Sequence, residues 1–75
     1  DDMITALASE VRGSPGRANF LITRLLDEIY ELAQNPRYHT VNEAIGVLEC
    51  VKLELYRRIA GPYEDKKIEE NGDVY

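Results

Sequence analysis

A long segment with helical periodicity, Val41–Ala60, constrains the fold more than any other part of this sequence. At about 100° per residue, most of its apolar residues fall on one broad side of a helix. Thr40 followed by Glu43 has the pattern of a capping box, and Gly61 with Pro62 predicts the end of the helix. We call the broad apolar side the front stripe; it consists of Val41, Ala44, Ile45, Leu48, Val51, Leu55 and Ile59.

A second, narrower apolar strip lies nearly opposite the front stripe and is called here the back strip. It is formed by Gly46, Cys50 and Leu53. A chain of 75 residues has room for one small core, so a helix needs only one apolar side to face it. The back strip therefore predicts contact with a second copy of the chain, as the interface of a homo-oligomer.

The remainder of the chain predicts two further helices. Met3–Arg12 has apolar residues at helical spacing, and Gly13 is suited to end that helix. Ser14 followed by proline is a helix-start signal, which predicts a second long helix over Pro15–Ala33. The linker Asn35–His39 is short, so the two long helices are expected to run antiparallel.

The tail after the second long helix allows two interpretations. It can form one or two helical turns that stop at Asn71-Gly72, or a β-hairpin that turns at this Asn-Gly pair. We favour a helical turn followed by a small hairpin, which would have to lie on the helices or on a neighbour.

These patterns predict a mainly α fold in a single domain, residues 1–75. A short N-terminal helix (1–13) precedes an antiparallel helical hairpin (14–61), and a small C-terminal turn or β-hairpin tail (62–75) follows. The predicted contact between the two long helices uses Leu25, Ile29, Leu48 and Leu55.

Composition argues against several classes of function. The net charge of −5 disfavours binding of a nucleic-acid polymer, and no apolar run approaches the length of a membrane span. The single cysteine, Cys50, fits a reducing cytoplasm, and the single histidine, His39, has no partner at metal-ligand spacing. The carboxylates Asp27, Glu28 and Glu31 mark the outer face of a helix. We therefore expect a cytoplasmic protein that is not an enzyme and uses no metal or cofactor.

Three groups of residues remain as candidates for binding an anion. Phe20 falls on the polar side of its helix one turn before Arg24, although an isolated exposed aromatic is common. Arg57 and Arg58 lie near a helix end, where cations also complement the helix dipole. The third group is the aromatic and ammonium side chains of the tail, for which a solvated charged tail is the alternative interpretation. An antiparallel hairpin would bring the two arginines towards the start of the first long helix, and a second copy would add the tail. The predicted ligand-binding residues are Arg17, Asn19, Phe20, Arg24, Arg57, Arg58, Tyr63, Lys66, Lys67 and Tyr75.

Nearly the whole chain resembles a family of short phage and prophage proteins of unassigned function. The resemblance is carried by N-x-L-I-T-R-L (Asn19–Leu25), N-E-A-I-G-V-L-E-C-V-K-L-E-L-Y-R-R (Asn42–Arg58) and P-Y-E-D-K-K-I-E-E-N-G-D-V-Y (Pro62–Tyr75). A second resemblance is confined to R-R-I-A-G-P (Arg57–Pro62), which is similar to the R-x-I-A-x-P ending of phage helical-hairpin proteins. Those proteins are the anti-CBASS and anti-Thoeris sponges, which oligomerise and hold cyclic-nucleotide signals between protomers without cleaving them. The resemblance implies a binding role for Arg57.

The sequence thus leads to two functional hypotheses. The first is a non-enzymatic phage-type protein of a bacterial host cytoplasm that oligomerises and binds a small anionic ligand. That ligand would be a cyclic nucleotide or an ADP-ribose derivative, sequestered as an anti-defence sponge. The alternative is a protein-interaction module in which Phe20 and the back strip dock a host or phage protein, with no small ligand.

Overall fold

The structure, a computed structural model, describes residues 2–73, and its regular elements over that range are all helical. The prediction of a mainly α chain is confirmed. In chain order the elements are α1 (Asp2–Val11), α2 (Pro15–Tyr30), α3 (Tyr38–Leu55), a π-helical segment (Tyr56–Ala60) and α4 (Gly61–Asn71).

The chain divides into an N-terminal unit, Asp1–Val41, and a C-terminal unit, Asn42–Tyr75. In the N-terminal unit α1 and α2 contact each other. The C-terminal unit is one helical run, because α3 passes through the π-helical segment directly into α4. A single helical run has no second element of its own unit against which to bury an apolar side.

The junction of α1 and α2 has the geometry that its sequence predicts. Gly13 adopts a φ of 79°, and the Ser14 amide donates to the Val11 carbonyl at 3.0 Å, which ends α1. The Ser14 hydroxyl then caps α2 by accepting the Arg17 amide at 3.3 Å, with proline at the first helical position. Ser14 therefore takes part in both the end of α1 and the start of α2.

Helix α2 stops earlier than the sequence predicts, at Tyr30 instead of Ala33. Glu31 adopts the left-handed region with a φ of 54°, and the Asp27 carboxylate accepts the Ala33 amide at 2.8 Å. This hydrogen bond satisfies an amide beyond the helix and stabilises a turn in place of a further helical turn.

We expect Glu31→Gly to stabilise the protein by about 0.5–1 kcal/mol. A left-handed backbone conformation costs a non-glycine residue about 1–2 kcal/mol, and the substitution removes this cost. Part of the gain is lost again because glycine has more conformational freedom in the unfolded chain. Chemical denaturation measures the change, with Glu28→Gly inside α2 as the control, which should lose about 1 kcal/mol. Loss of stability in both variants would contradict the strain at Glu31.

Helix α3 begins before the expected capping box, at Tyr38. The Thr40 hydroxyl donates to the Arg37 carbonyl at 3.0 Å, and the Val41 amide donates to the same carbonyl at 3.0 Å. Thr40 is thus inside the first turn, where its hydroxyl bonds back along the helix, so the predicted capping box with Glu43 is wrong.

The predicted helix end at Gly61 and Pro62 is also wrong, because the backbone stays helical through both residues. Ala60 has φ −66° and ψ −45°, and Gly61 donates its amide to the Tyr56 carbonyl, five residues back. Proline inside a helix has no amide hydrogen to donate, and its ring collides with the carbonyl four residues before it. A π-helical turn just before Pro62 changes this spacing and lets the helix continue.

The predicted β-hairpin tail is wrong as well. Helix α4 runs to Asn71, and Gly72, with φ 88°, donates its amide to the Ile68 carbonyl at 2.7 Å. The Asn-Gly pair ends a helix here, as the helical alternative for the tail supposes. The Gly72 amide is satisfied by the helix itself, whereas a two-stranded hairpin would need further support. Tyr75 lies outside the described residues.

Among residues 2–73, Ala44 is the one buried hydrophobic side chain, at 3% exposure. Apart from Ala44, both apolar sides of α3 expose large side chains. Leu55 of the front stripe and Leu53 of the back strip expose 55% and 57% of their surface. The C-terminal unit therefore presents apolar surface that requires a partner outside itself.

Candidate functional site

A groove at the α1–α2 junction contains three of the predicted ligand-binding residues. We call it the N-terminal groove; its volume is about 400 Å³, within the usual range of small-molecule sites. Phe20 is prominent in it, with 68% of its surface exposed. The lining residues are Val11, Gly16, Arg17, Phe20, Leu21 and Arg24.

The N-terminal groove combines cations with an aromatic ring on one side of α2. Arg17, Phe20 and Arg24 follow one another at three- and four-residue spacing, which places them along a single helix face. Residues 11–26 contain three arginines and no carboxylate, in a chain whose net charge is −5. Guanidinium groups pair with phosphate or carboxylate oxygens, and an aromatic face can stack on a planar ring.

The side chain of Arg24 forms ion pairs with two carboxylates of the following helical turn. Its guanidinium lies 3.3 Å from Glu28 and 3.8 Å from Asp27, measured nitrogen to oxygen. These exposed contacts engage part of its five donors and restrict its side chain. Asn19 has a different role, since its side-chain oxygen accepts the Thr23 hydroxyl at 3.2 Å and it does not line the groove.

In the C-terminal unit, one carboxylate is shared by the two predicted arginines. Glu54 Oε1 lies 2.8 Å from Arg57 Nη2, and its Oε2 lies 2.7 Å from Arg58 Nε. The hydrogen bonds from Arg57 and then Arg58 lower the pKa of the Glu54 carboxyl. Both cations therefore have a local acid, although two guanidiniums against one carboxylate still leave positive charge.

We expect the Glu54 carboxyl to titrate below its ordinary pKa, and Arg57→Gln to raise that pKa. The pKa of Glu54 is lower in the folded protein than in the unfolded chain. The contact therefore contributes its full stability above the unfolded pKa, and that contribution is lost as the pH falls through the folded pKa. A carbon-detected NMR titration of the Glu54 side chain measures this. Lys52→Gln is the control and should leave the Glu54 titration unchanged; an unchanged titration in Arg57→Gln would contradict the shared contact.

A hydrogen bond between side chains spans the π-helical segment. Tyr56 donates its hydroxyl to the Glu64 carboxylate, and this bond, with the negative charges of Glu64 and Asp65, raises the pKa of Tyr56. The two residues belong to the start of the π-helical segment and to the first turn of α4.

The remaining predicted ligand residues lie on α4. Lys67 Nζ lies 5.6 Å from the centre of the Tyr63 ring, a cation–π distance, and 3.6 Å from Glu70. Lys66 is exposed. The predicted role of Tyr75 falls outside the described residues. The structure thus groups Tyr63 with Lys67, and Arg57 with Arg58, within the C-terminal unit.

The C-terminal unit also carries an apolar groove that the sequence analysis did not identify as a site. This C-terminal groove has a volume of about 500 Å³. A π-helical turn adds about one residue, which turns the rest of the helix back by roughly 100°. Because of that rotation, the small side chain of Ala60 lines the groove beside residues of the front stripe. The lining residues are Leu48, Val51, Lys52, Leu55, Tyr56, Ile59 and Ala60.

Comparison with known proteins gives one assignment. The model of a domain family of unknown function, DUF6899, matches residues 1–74. The chain belongs to the DUF6899 family. The match spans both units, and neither a curated protein nor a solved structure matches the chain.

Other kinds of site receive no support from this DUF6899 structure. Within residues 2–73 no group of three or more histidine, cysteine, aspartate or glutamate side chains is placed to hold a metal ion. Over the same residues no helix is both long enough and apolar enough to cross a membrane. Cys50 is an exposed free thiol. The two grooves and the paired arginines are therefore the features on which a function can be argued.

Proposed function

We propose that this DUF6899 protein is a non-enzymatic binding protein whose N-terminal groove holds a small anion with a planar ring, of the nucleotide class. The observation that carries the proposal is that Arg17, Phe20 and Arg24 line one groove. The two arginines supply paired charge-assisted hydrogen bonds to phosphate, and Phe20 supplies a face for the base.

The proposal includes assembly. The protein acts as a homo-oligomer in the cytoplasm of a bacterial host. Support comes from the open front stripe, which needs a partner outside the C-terminal unit, and from the resemblance of Arg57–Pro62 to the sponge proteins. The protein holds a cyclic nucleotide or an ADP-ribose derivative without cleaving it. It thereby sequesters the signal and acts as an anti-defence sponge.

Calorimetry with cyclic dinucleotides, cyclic trinucleotides and ADP-ribose derivatives tests the ligand. We expect binding by at least one of them, and loss of roughly tenfold or more in affinity in Arg24→Ala and in Phe20→Ala. Arg37→Ala is the matched control, because Arg37 is an exposed arginine of the same unit that does not line the groove. Recovered ligand should have an unchanged mass. No heat with any of these compounds would overturn the proposal.

Arg57→Ala distinguishes the two groups of arginines. The binding role that the resemblance to the sponge proteins implies for Arg57 predicts that this variant abolishes binding, whereas a ligand confined to the N-terminal groove requires Arg24 instead. If Arg57→Ala loses binding while Arg24→Ala retains it, the ligand lies at the Glu54 cluster and the N-terminal groove is the wrong site. Circular dichroism confirms in each case that the helices persist.

A protein-interaction module is the second candidate function. It is favoured by two apolar side chains that no described residue covers, Phe20 at 68% and Leu53 at 57% exposure. A host or phage protein would dock on them in place of a small ligand. Copurification from infected bacteria should then recover a partner whose binding is lost in both Phe20→Ala and Leu53→Ala, with no calorimetric response to nucleotides.

A further inference from the structure

The apolar residues of α3 and the π-helical segment have nearly the same spacing in both directions from residue 50. Because an α-helix rises about 1.5 Å per residue, residues of α3 that are equally far from that position lie at equal distances along the helix, and Ile59, in the π-helical segment, lies somewhat closer to it. Two such helices can therefore lie side by side, head to tail, with their outer apolar layers facing each other. The apolar equidistant pairs are Val41 with Ile59 and Ile45 with Leu55, whereas Leu48 is paired with the charged Lys52 near the centre.

We propose that the C-terminal unit pairs antiparallel with the same unit of a second copy, through the front stripe and the C-terminal groove. The two-fold axis lies level with residue 50, so each surface patch meets its own counterpart, as a two-fold interface requires.

Charge decides the direction of the pairing. Lys52 lines the C-terminal groove, and its Nζ lies 3.4 Å from Glu49 Oε1 of the same helix. In the antiparallel pair, Lys52 of one copy comes within one residue of the level of Glu49 of the other, and the two-fold axis repeats this contact. A parallel pair in register would instead place lysine opposite lysine and glutamate opposite glutamate.

This inference rests on the self-association in the proposed function and is independent of its ligand. It moves the interface from the back strip to the front stripe.

Cross-linking tests the register. In a Cys50→Ser background, Val41→Cys and Ile59→Cys are made as single variants, mixed, and treated with a short bis-maleimide reagent. We expect the mixed product, Val41→Cys joined to Ile59→Cys, to exceed either homodimeric product by at least tenfold. Wild type is the control, because Cys50 lies on the back strip at the level of the axis and should not cross-link.

Each other result overturns the inference in a distinct way. Homodimeric products in excess would show a parallel pair. Cross-linking of wild type through Cys50 would show that the back strip is the interface. A monomer by light scattering would overturn both this pairing and the proposed self-association, while calorimetry on the same sample reports separately on the ligand. Circular dichroism checks that both cysteine variants retain their helices.

Discussion

Leu55→Asp should cost roughly 3–5 kcal/mol of unfolding free energy and remove most of the helical circular-dichroism signal. Leu55 belongs to the front stripe and lines the C-terminal groove. Whichever helix covers this stripe, an aspartate there is an unpaired charge in an apolar contact. Since short helices are marginal in water without packing, loss of that contact also melts the helical run. Urea denaturation followed by circular dichroism measures the effect.

Leu53→Asp is the matched control for this experiment. The two leucines are on the same helix and are almost equally exposed, at 57% for Leu53 and 55% for Leu55. With the front stripe inside the assembly, Leu53→Asp should change stability by less than about 0.5 kcal/mol, as expected of a surface substitution. An effect of Leu53→Asp as large as that of Leu55→Asp would support the back-strip interface predicted from the sequence.

Pro62→Ala should raise the unfolding free energy by up to about 3 kcal/mol and abolish the π-helical segment. Alanine restores the missing amide hydrogen and removes the clash of the proline ring with the preceding turn. The helix can then return to regular α spacing, which turns α4 forward by roughly 100°. Denaturation measures the gain, and NMR hydrogen-bond couplings show whether Gly61 still donates to the Tyr56 carbonyl.

Pro15→Ala is the control for the proline prediction. Pro15 occupies the first position of α2, where no helical hydrogen bond is lost, so its replacement should change stability little. If Pro62→Ala gains stability but keeps the bond from Gly61 to Tyr56, proline is not what maintains the π-helical segment. The hydrogen bond between Tyr56 and Glu64 would then be the feature to remove.

The helices that the sequence predicts well are those whose signals act within a few residues. Ser14 followed by proline identifies the start of α2 because the cap, the fixed φ and the first amides are adjacent. The end of α2 is harder to predict because a carboxylate from inside the helix, Asp27, accepts the Ala33 amide beyond it. A short-range pattern contains no information on that choice.

In the C-terminal unit, the sequence predicts a helix end that the structure does not have. Gly61 and Pro62 each disfavour a regular α-helix, so together they predict an end to it. A π-helical turn accommodates both residues without ending the helix. Sequence signals that treat residues one at a time do not predict such a turn. The Asn71-Gly72 pair is likewise ambiguous, because it suits a hairpin turn and a helix end alike, and only the surrounding hydrogen bonds distinguish them.

The candidate sites are partly predictable. The spacing of Arg17, Phe20 and Arg24 already implies one helix face, but the apolar lining from Val11 depends on how α1 approaches α2. The partner of Arg57 and Arg58 can be found from the sequence, since Glu54 lies three and four residues before them on the same helix.

The carboxylate of Glu54 gives the C-terminal unit an internal competitor for anions. Any acid that approaches Arg57 and Arg58 has to exchange with oxygens already 2.8 Å and 2.7 Å from their nitrogens. A singly charged ligand merely replaces one negative charge by another. A ligand with two phosphates provides each guanidinium with its own oxygens and releases Glu54 into water, where it is readily hydrated. This cluster would therefore select its ligands by the number of their charges more than by their shape.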